Sequence, residues 1–277
     1  MTDRPETLRL ALAQANPIVG DIAGNAEKAR AMRAEGARLG ADLVVFPELF
    51  LAGYPPEDLV KKPAFIEACR RALESLAAET DDGGPALLIG APFAEDGKLY
   101  NSMALLDGGR IEAVRHKVEL PNYGVFDEKR VFDAGPFPGP VGFRGIRLGV
   151  PICEDIWVPD VVECLAETGA EILIVPNGSP YWPDKSALRP NVAVERVVES
   201  GLPLVYLNQV GGQDELVFDG GSFGLAADRR LAFQMPAYEE TVELSVWEKG
   251  EDEVWRPGEG PDATLPDHDA ADWMACV

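Results

Sequence analysis

Three residues of this sequence have side chains that together could cleave a carbon–nitrogen bond: Glu48, Lys117 and Cys153. Each stands at the end of a predicted strand, and the sites of parallel α/β sheets lie at the carboxyl ends of strands. A thiolate can attack an amide carbon, a carboxylate can move the protons, and an ammonium can stabilise the oxyanion that forms. These residue types predict amide hydrolysis through a thioester.

Cys153 follows the apolar stretch 146–150, and Pro159 then favours the start of a helix, so the chain is expected to turn sharply at the thiol. A free cysteine has a pKa of about 8.5 and needs a nearby base or cation to react at neutral pH. We expect Glu48 to take the thiol proton and Lys117 to lower the pKa of Cys153. The backbone N–H of Glu154 is a second candidate donor to the oxyanion.

Each of these residues also has a purely structural interpretation. A lone cysteine after an apolar strand is more often a small packing residue than a nucleophile. Glu48 could cap a helix, and Lys117 could be an exposed lysine of a hairpin. His116 could pair with Cys153 as in papain-like enzymes, but no Asn or Asp partner stands in a matching motif.

The composition narrows the class of protein. The 277 residues are 46% hydrophobic, which is enough for one large core. A net charge of −22, from 25 basic and 47 acidic residues, argues against nucleic acid and anionic membranes as partners. The four cysteines form no C-x-x-C pair and there are only two histidines, so a Cys/His zinc site is not expected. No signal peptide and no apolar run of ~20 residues is found, which favours a soluble cytoplasmic protein.

Strand and helix patterns alternate along the chain and predict an α/β fold. Predicted strands are 8–14, 41–48, 86–92, 171–177 and 204–208, predicted helices are 25–39, 63–78, 161–168 and 192–199, and a hairpin over 100–114 leads to Lys117. The segments 40–48 and 169–177 resemble each other, and we call this pair the internal echo. Unless the echo is chance, two similar β-α-β halves predict a four-layer α-β-β-α sandwich.

Four longer phrases carry a family resemblance. They are 46–48 with 53–59, 116–117 with 120–128, 152–157, and 208–215. Together with Glu48, Lys117 and Cys153 they resemble the nitrilase (carbon–nitrogen hydrolase) superfamily with its Glu-Lys-Cys triad. The longer phrases resemble one branch of it, the N-terminal glutaminase domain of glutamine-dependent NAD⁺ synthetases. The match extends to about Trp247.

The resemblance implies further site residues. The implied substrate-binding set is Tyr123, Ser179, Lys185, Glu128, Glu154 and Trp157. Lys185 with the hydroxyl of Ser179 suits the α-carboxylate of glutamine, and Glu154 suits its α-ammonium. Asp184 precedes Lys185 where the family has glycine, so Arg189 could take its place. Tyr123 and Trp157 could instead be packing residues.

Glu128 matches a second glutamate of the superfamily, which would orient Lys117 or the substrate amide. The resemblance implies a glutaminase that releases ammonia for an ATP-dependent synthetase domain, which amidates deamido-NAD⁺. Residues 1–247 would be the glutaminase domain, and 248–277 an acidic linker with the start of a synthetase domain. The Ser-Gly-Gly-x-Asp-Ser pyrophosphate loop of such a domain does not occur in the sequence.

No cofactor or metal is expected for the glutaminase reaction, whereas ATP, Mg²⁺ and deamido-NAD⁺ would belong to the synthetase domain. L-glutamine, that domain and further copies of the chain are the implied partners. Two rival hypotheses remain. One is a free-standing amidase that acts on another ω-amide, which a substrate panel would reveal. The other is a non-catalytic protein that docks a synthetase through its acidic tail, and its thiol would not react with glutamine analogues.

Overall fold

The first strand, β1 (Thr7–Gln14), shows how alternation in the sequence builds two layers of core. Leu8, Leu10 and Leu12 point into one apolar cluster, where strands of both sheets meet. Ala11 and Ala13 point the other way, into a cluster shared with two helices. The large side chains therefore fill the space between sheets, and the small ones let helices approach closely.

The computed structural model describes residues 5–182, 185–258 and 260, with only the backbone of 185–187. The first sheet consists of β1, β2 (Leu43–Val45), β3 (Ala86–Glu95), β4 (Lys98–Asp107), β5 (Arg110–His116), β14 (Thr241–Lys249) and β15 (Trp255–Pro257), in the order β15-β14-β1-β2-β3-β4-β5. The second sheet consists of β6 (Val141–Phe143), β7 (Ile146–Gly149), β8 (Ile172–Asn177), β9 (Leu204–Asn208), β12 (Phe223–Leu225) and β13 (Leu231–Gln234), in the order β13-β12-β9-β8-β7-β6. A separate ribbon pairs β10 (Val210–Gln213) with β11 (Leu216–Asp219). The helices are α1 (Ile22–Arg38), α2 (Pro63–Glu79), α3 (Pro159–Glu167) and α4 (Lys185–Ser200).

The two mixed sheets pack face to face, and the helices cover their outer faces. Helices α1 and α2 share a cluster with the outer side of the first sheet. Helices α3 and α4 share another with the outer side of the second sheet. The predicted four-layer α-β-β-α sandwich is confirmed.

The internal echo corresponds to two equivalent parallel strand pairs, β1–β2 and β7–β8. In the first pair the Asp42 carboxylate accepts a hydrogen bond of 2.8 Å from the backbone N–H of Arg9. In the second pair the Glu171 carboxylate accepts one of 3.3 Å from the N–H of Arg147. The acidic residue of each repeated segment therefore fixes the start of its strand against the neighbouring strand.

Two differences from the sequence-based predictions concern the ends of β2 and α4. Strand β2 ends at Val45, so Glu48 lies on the loop beyond it. Helix α4 begins at Lys185, earlier than the predicted 192, and contains Pro190. The early start was missed because proline usually ends a helical pattern. None of the helices in the described residues is both long and apolar enough to cross a bilayer.

The first sheet continues past Trp247, where the sequence predicts the end of the glutaminase domain. Strand β14 continues to Lys249 and β15 pairs with it, so the chain remains part of the sheet up to Pro257. Trp255 is only 1% exposed and joins the cluster between the sheets. Acidic residues around Trp255 made this segment resemble a linker, whereas burial of one large indole is enough to anchor a short strand. Residues 261–277 lie outside the described part.

Candidate active site

The loops that follow three strands bring the predicted catalytic residues together across both sheets. Glu48 follows β2 and Lys117 follows β5 in the first sheet, whereas Cys153 follows β7 in the second. Nζ of Lys117 lies 2.6 Å from Oε1 of Glu48. The same ammonium lies 2.9 and 3.0 Å from the two carboxylate oxygens of Glu128. Glu48 and Lys117 are fully buried, and Glu128 is 5% exposed.

Three groups without a role in the sequence-based predictions hold the two carboxylates. Nδ2 of Asn101 donates to Oε1 of Glu48 at 2.7 Å, and the backbone N–H of Gly178 donates to Oε2 at 2.8 Å. The Tyr54 hydroxyl donates to Oε1 of Glu128 at 2.8 Å. A polar amide within the apolar strand β4 is the signal that could have identified Asn101, because buried polar side chains need a partner.

The buried charges shift the protonation of Glu128 and of Lys117. Burial raises the pKa of Glu128 to about 7, against the opposing charge of Lys117 and with the help of Glu48. Burial by itself would lower the pKa of Lys117, but Glu128 and Glu48 outweigh it and raise that pKa well above its usual value. Lys117 therefore remains an ammonium, the form that could stabilise an oxyanion.

We expect Glu128→Gln to flatten the pH dependence of stability. The Glu128 pKa is about 7 in the folded protein and near 4.5 in the unfolded chain. The bound proton therefore stabilises the fold fully below about pH 4.5. That stabilisation is lost as the pH rises to about 7. Urea unfolding at several pH values should show that the wild type loses about 3 kcal/mol more over this window than the variant.

The matched control for this prediction is Glu163→Gln on the exposed face of α3. It should keep the wild-type pH dependence of stability, because this side chain is exposed to solvent. A Glu128→Gln protein with the same pH dependence as wild type would show that Glu128 does not hold a proton in the fold.

Cys153 lies in a tight turn, as the sequence predicts. Its φ is +47°, in the left-handed region that side-chain-bearing residues rarely adopt, and a short 3₁₀ turn follows over Cys153–Ile156. The residue is 4% exposed. Local strain of this kind occurs where a fold holds a functional side chain in a fixed direction.

The pKa of Cys153 depends on burial and on Glu48 as well as on Lys117. Burial and the negative charge of Glu48 raise the pKa of this thiol well above its usual value. Lys117 acts in the expected direction, but its contribution is smaller than that of burial. A buried thiolate beside carboxylates is unfavourable, so the resting thiol keeps its proton and a base must remove it during the attack.

A cavity of about 250 Å³ opens beside this site. Its lining residues are Tyr123, Gly124, Val125, Phe126, Trp157, Trp182 and Leu188. The Tyr123 hydroxyl donates to the two carboxylate oxygens of Glu154, at 2.9 and 3.0 Å, although the residue is 54% exposed. The structure thus links Tyr123 to Glu154, the residue after Cys153, and places Tyr123 and Trp157 on the wall of one cavity. The side chain of Lys185 lies outside the described residues.

The alternative cation, Arg189, is occupied by the protein. Its Nη1 contacts both oxygens of Asp219 at 2.7 and 2.8 Å, and its Nη2 donates to the carbonyls of Ser179 and Pro180. Its Nε donates to Oγ of Ser179 at 3.2 Å. Because a guanidinium has five N–H groups, these contacts use all of them. Arg189 therefore holds the buried loop of Ser179 in place.

The papain-like alternative finds no support in the contacts of His116. Its Nδ1 lies 2.7 Å from Oγ of Ser102, and its Nε2 lies 3.2 Å from Glu95. The ring also stacks on Tyr100, with 4.1 Å between centroids. Both ring nitrogens thus have partners other than Cys153. The adjacent residues His116 and Lys117 point to opposite faces at the end of β5.

The loop that carries Glu48 depends on a glycine of the neighbouring strand β3. A Cβ at Gly90 would lie 2.3 Å from the backbone N of Leu49 and 2.6 Å from the backbone O of Pro47. We expect Gly90→Ala to lower the free energy of unfolding by about 1–3 kcal/mol and to displace Glu48. The displacement should lower kcat for amide hydrolysis at least about tenfold. Gly142→Ala is the control, because a Cβ at this position of β6 would meet open space. It should change neither the free energy of unfolding nor kcat. Wild-type kcat in Gly90→Ala would show that the loop adapts without moving the carboxylate.

Residues 9–246 match the family model for the carbon-nitrogen hydrolase domain, which covers most of the chain. The chain belongs to this family, the nitrilase superfamily.

Within the family, similarity is high to the glutamine-dependent NAD(+) synthetase of Rhodobacter capsulatus, with 51% identity over 250 residues. These residues are 90% of this chain and 45% of that protein. The structure of glutamine-dependent NAD+ synthetase from Acinetobacter baumannii aligns with a TM-score of 0.85 and 34% identity over 94% of this chain and 49% of that chain. The chain thus spans about half the length of these relatives. An amidase from Nesterenkonia sp. aligns with a TM-score of 0.74 and 26% identity over 100% of this chain and 99% of that chain.

Proposed function

We propose that this protein hydrolyses the side-chain amide of L-glutamine to glutamate and ammonia. The observation that supports this most strongly is the buried Glu48–Lys117–Glu128 cluster, whose charges act on the thiol of Cys153. A buried base, a buried ammonium and a strained thiol are the groups that nucleophilic amide cleavage needs.

In the proposed reaction, Sγ of Cys153 attacks the amide carbon while Glu48 takes the thiol proton. Lys117 and the backbone N–H of Glu154 stabilise the oxyanion of the tetrahedral intermediate. Glu48 then gives the proton to the amide nitrogen, the C–N bond breaks, and ammonia leaves a thioester. Water attacks the thioester with Glu48 as base, the C–S bond breaks, and the proton returns to the sulfur. Glu128 keeps Lys117 charged and in place throughout.

Glutamine recognition is proposed at the cavity beside Cys153. Glu154, oriented by the hydroxyl of Tyr123, would bind the α-ammonium. Ser179 and Lys185 would bind the α-carboxylate, and Trp157 would pack against the side chain. Charge-assisted hydrogen bonds to both ends of an amino acid would select glutamine over simple amides.

The ammonia would serve an NAD⁺ synthetase half, because the chain is similar to about half of such synthetases. That half would use ATP, Mg²⁺ and deamido-NAD⁺, whereas the glutaminase reaction needs no cofactor. In this proposal copies of the chain assemble into a homo-oligomer, and the thiol works in a reducing cytoplasm.

A second candidate function is a free-standing amidase for another ω-amide. It is favoured by one observation, the alignment with the Nesterenkonia sp. amidase over nearly the whole of both chains. Identity to that amidase is 26%, against 51% to the Rhodobacter capsulatus synthetase, so glutamine remains the first substrate to test.

The deciding experiment is ammonia release from glutamine, with asparagine and simple aliphatic amides as competitors, with and without an added synthetase domain. We expect release with a clear preference for glutamine. Preference for another amide would favour the amidase. A thiol that reacts with no amide and no glutamine analogue would favour the non-catalytic docking protein.

A further inference from the structure

Asp155, the third residue of the turn that begins at Cys153, is fully buried and was given no role by the sequence. Its Oδ1 accepts two backbone hydrogen bonds, of 3.0 Å from Val118 and 2.8 Å from Glu119. These two N–H groups directly follow Lys117 in the chain. One oxygen of Asp155 therefore holds the segment that leaves the catalytic lysine.

The other oxygen, Oδ2, holds the segment that enters the nucleophile turn. It accepts a hydrogen bond of 2.9 Å from the backbone N–H of Ile152, the residue before Cys153. It also accepts a hydrogen bond of 3.0 Å from Nη2 of Arg115, a buried residue of β5. Nε and Nη1 of Arg115 have no hydrogen-bond partner in the described residues, so this guanidinium supplies Asp155 with one hydrogen bond and a positive charge.

The two segments belong to different sheets. Lys117 follows β5 at one edge of the first sheet, and Cys153 follows β7 in the second. Apolar contacts between sheets are non-directional and fix separation less sharply than hydrogen bonds do. A buried carboxylate that accepts from both segments is a direct polar link between the lysine and the nucleophile.

We propose that Asp155 is a positioning residue that sets the placement of Cys153 relative to Lys117. The proposal rests on the proposed function for its catalytic consequence, and it assigns to Asp155 a role separate from the triad. Only a carboxylate can do this with these donors, because both oxygens must accept. In Asp155→Asn the amide NH₂ would face either the N–H groups of Val118 and Glu119 or those of Ile152 and Arg115, and one segment would be released.

The test compares Asp155→Asn with Glu171→Gln. Glu171 also accepts from a backbone N–H, from a lysine and from an indole, but at the start of β8. For both variants we would measure thermal unfolding, kcat and KM for glutamine, and the rate at which iodoacetamide alkylates Cys153, located by mass spectrometry.

We expect Asp155→Asn to lower kcat by about 10²-fold, with a much smaller change in KM, because misplacement by about 1 Å has effects of this size. Alkylation of Cys153 should slow at least about tenfold, because the thiol loses its alignment with the base. Simple loosening of the fold would act the other way and expose the thiol to faster alkylation. Glu171→Gln should lose stability but keep kcat and the alkylation rate.

Alkylation uses no glutamine, so the inference can be tested even if the wild type proves inactive on glutamine, which would contradict the proposed function alone. Unchanged kcat and alkylation in a destabilised Asp155→Asn would overturn the inference. If Asp155→Asn does not fold, amide hydrogen exchange of the wild type decides. Slow exchange at Val118, Glu119 and Ile152 is expected, and rapid exchange at Val118 and Glu119 would overturn it.

Discussion

Cys153→Ala is expected to lower the rate of ammonia release from glutamine by at least about 10⁴-fold, because no other group can form the thioester. The fold should survive. Alanine keeps the Cβ, so the strain at φ +47° is unchanged, and the loss of one buried sulfur from the core between the sheets is small. The measurement is steady-state ammonia release together with the thermal midpoint of unfolding.

Cys69→Ala is the matched control for this prediction. Cys69 is a fully buried cysteine on α2, where burial raises its pKa to about 12, so it is an unreactive packing residue. The control should lose a comparable amount of stability and keep wild-type activity. Substantial ammonia release by Cys153→Ala would mean that the thiol is not the nucleophile and that the turn serves the fold.

Lys117→Met should damage both stability and catalysis. Methionine keeps the length of the side chain but leaves Glu48 and Glu128 facing each other in a buried site without a cation. Removal of one partner from a buried ion cluster typically costs about 3–5 kcal/mol. The cost should shrink at acidic pH, where Glu128 takes up a proton. Loss of the oxyanion-stabilising charge should lower kcat by about 10²–10³-fold. Urea unfolding and ammonia release check the two effects.

The double variant Lys117→Met/Glu128→Gln separates these effects. Removal of one carboxylate should restore part of the free energy of unfolding, because Glu48 keeps the hydrogen bonds from Asn101 and Gly178. It should not restore kcat. Lys249→Met is the control: Lys249 is also largely buried and pairs with Glu171 and Glu253, but lies on β14 away from the thiol. Activity at the wild-type level in Lys117→Met would rule out this lysine as the oxyanion-stabilising group.

Taken together, these contacts describe a site in which one ammonium serves two carboxylates. Glu48 is held by Lys117, Asn101 and Gly178, so it is fixed in direction before substrate binds. Glu128 contacts the same ammonium and accepts a hydrogen bond from the Tyr54 hydroxyl. Preorganised charges of this kind lower a barrier because nothing needs to reorient during the reaction.

Much of the architecture could be predicted from the sequence, because it depends on local patterns. Alternating apolar residues defined β1, and the internal echo indicated two similar halves that pack as sheets. Glu48, Lys117 and Cys153 were identifiable because each reactive side chain follows a predicted strand. The missed elements lacked such a pattern: β15 is three residues long and depends on the burial of Trp255.

The tertiary structure alone decided how the site works. The net pKa of Cys153 depends on burial and on Glu48, which is far away in sequence, and these two causes outweigh the lowering by Lys117 that the sequence predicts. Asn101 and Asp155 act through hydrogen bonds to segments that lie 53 and 37 positions away along the chain. The sequence by itself determined which reactive groups the chain carries. The packing of the two sheets determined their distances, protonation and alignment, because these quantities depend on long-range approach and exclusion of water.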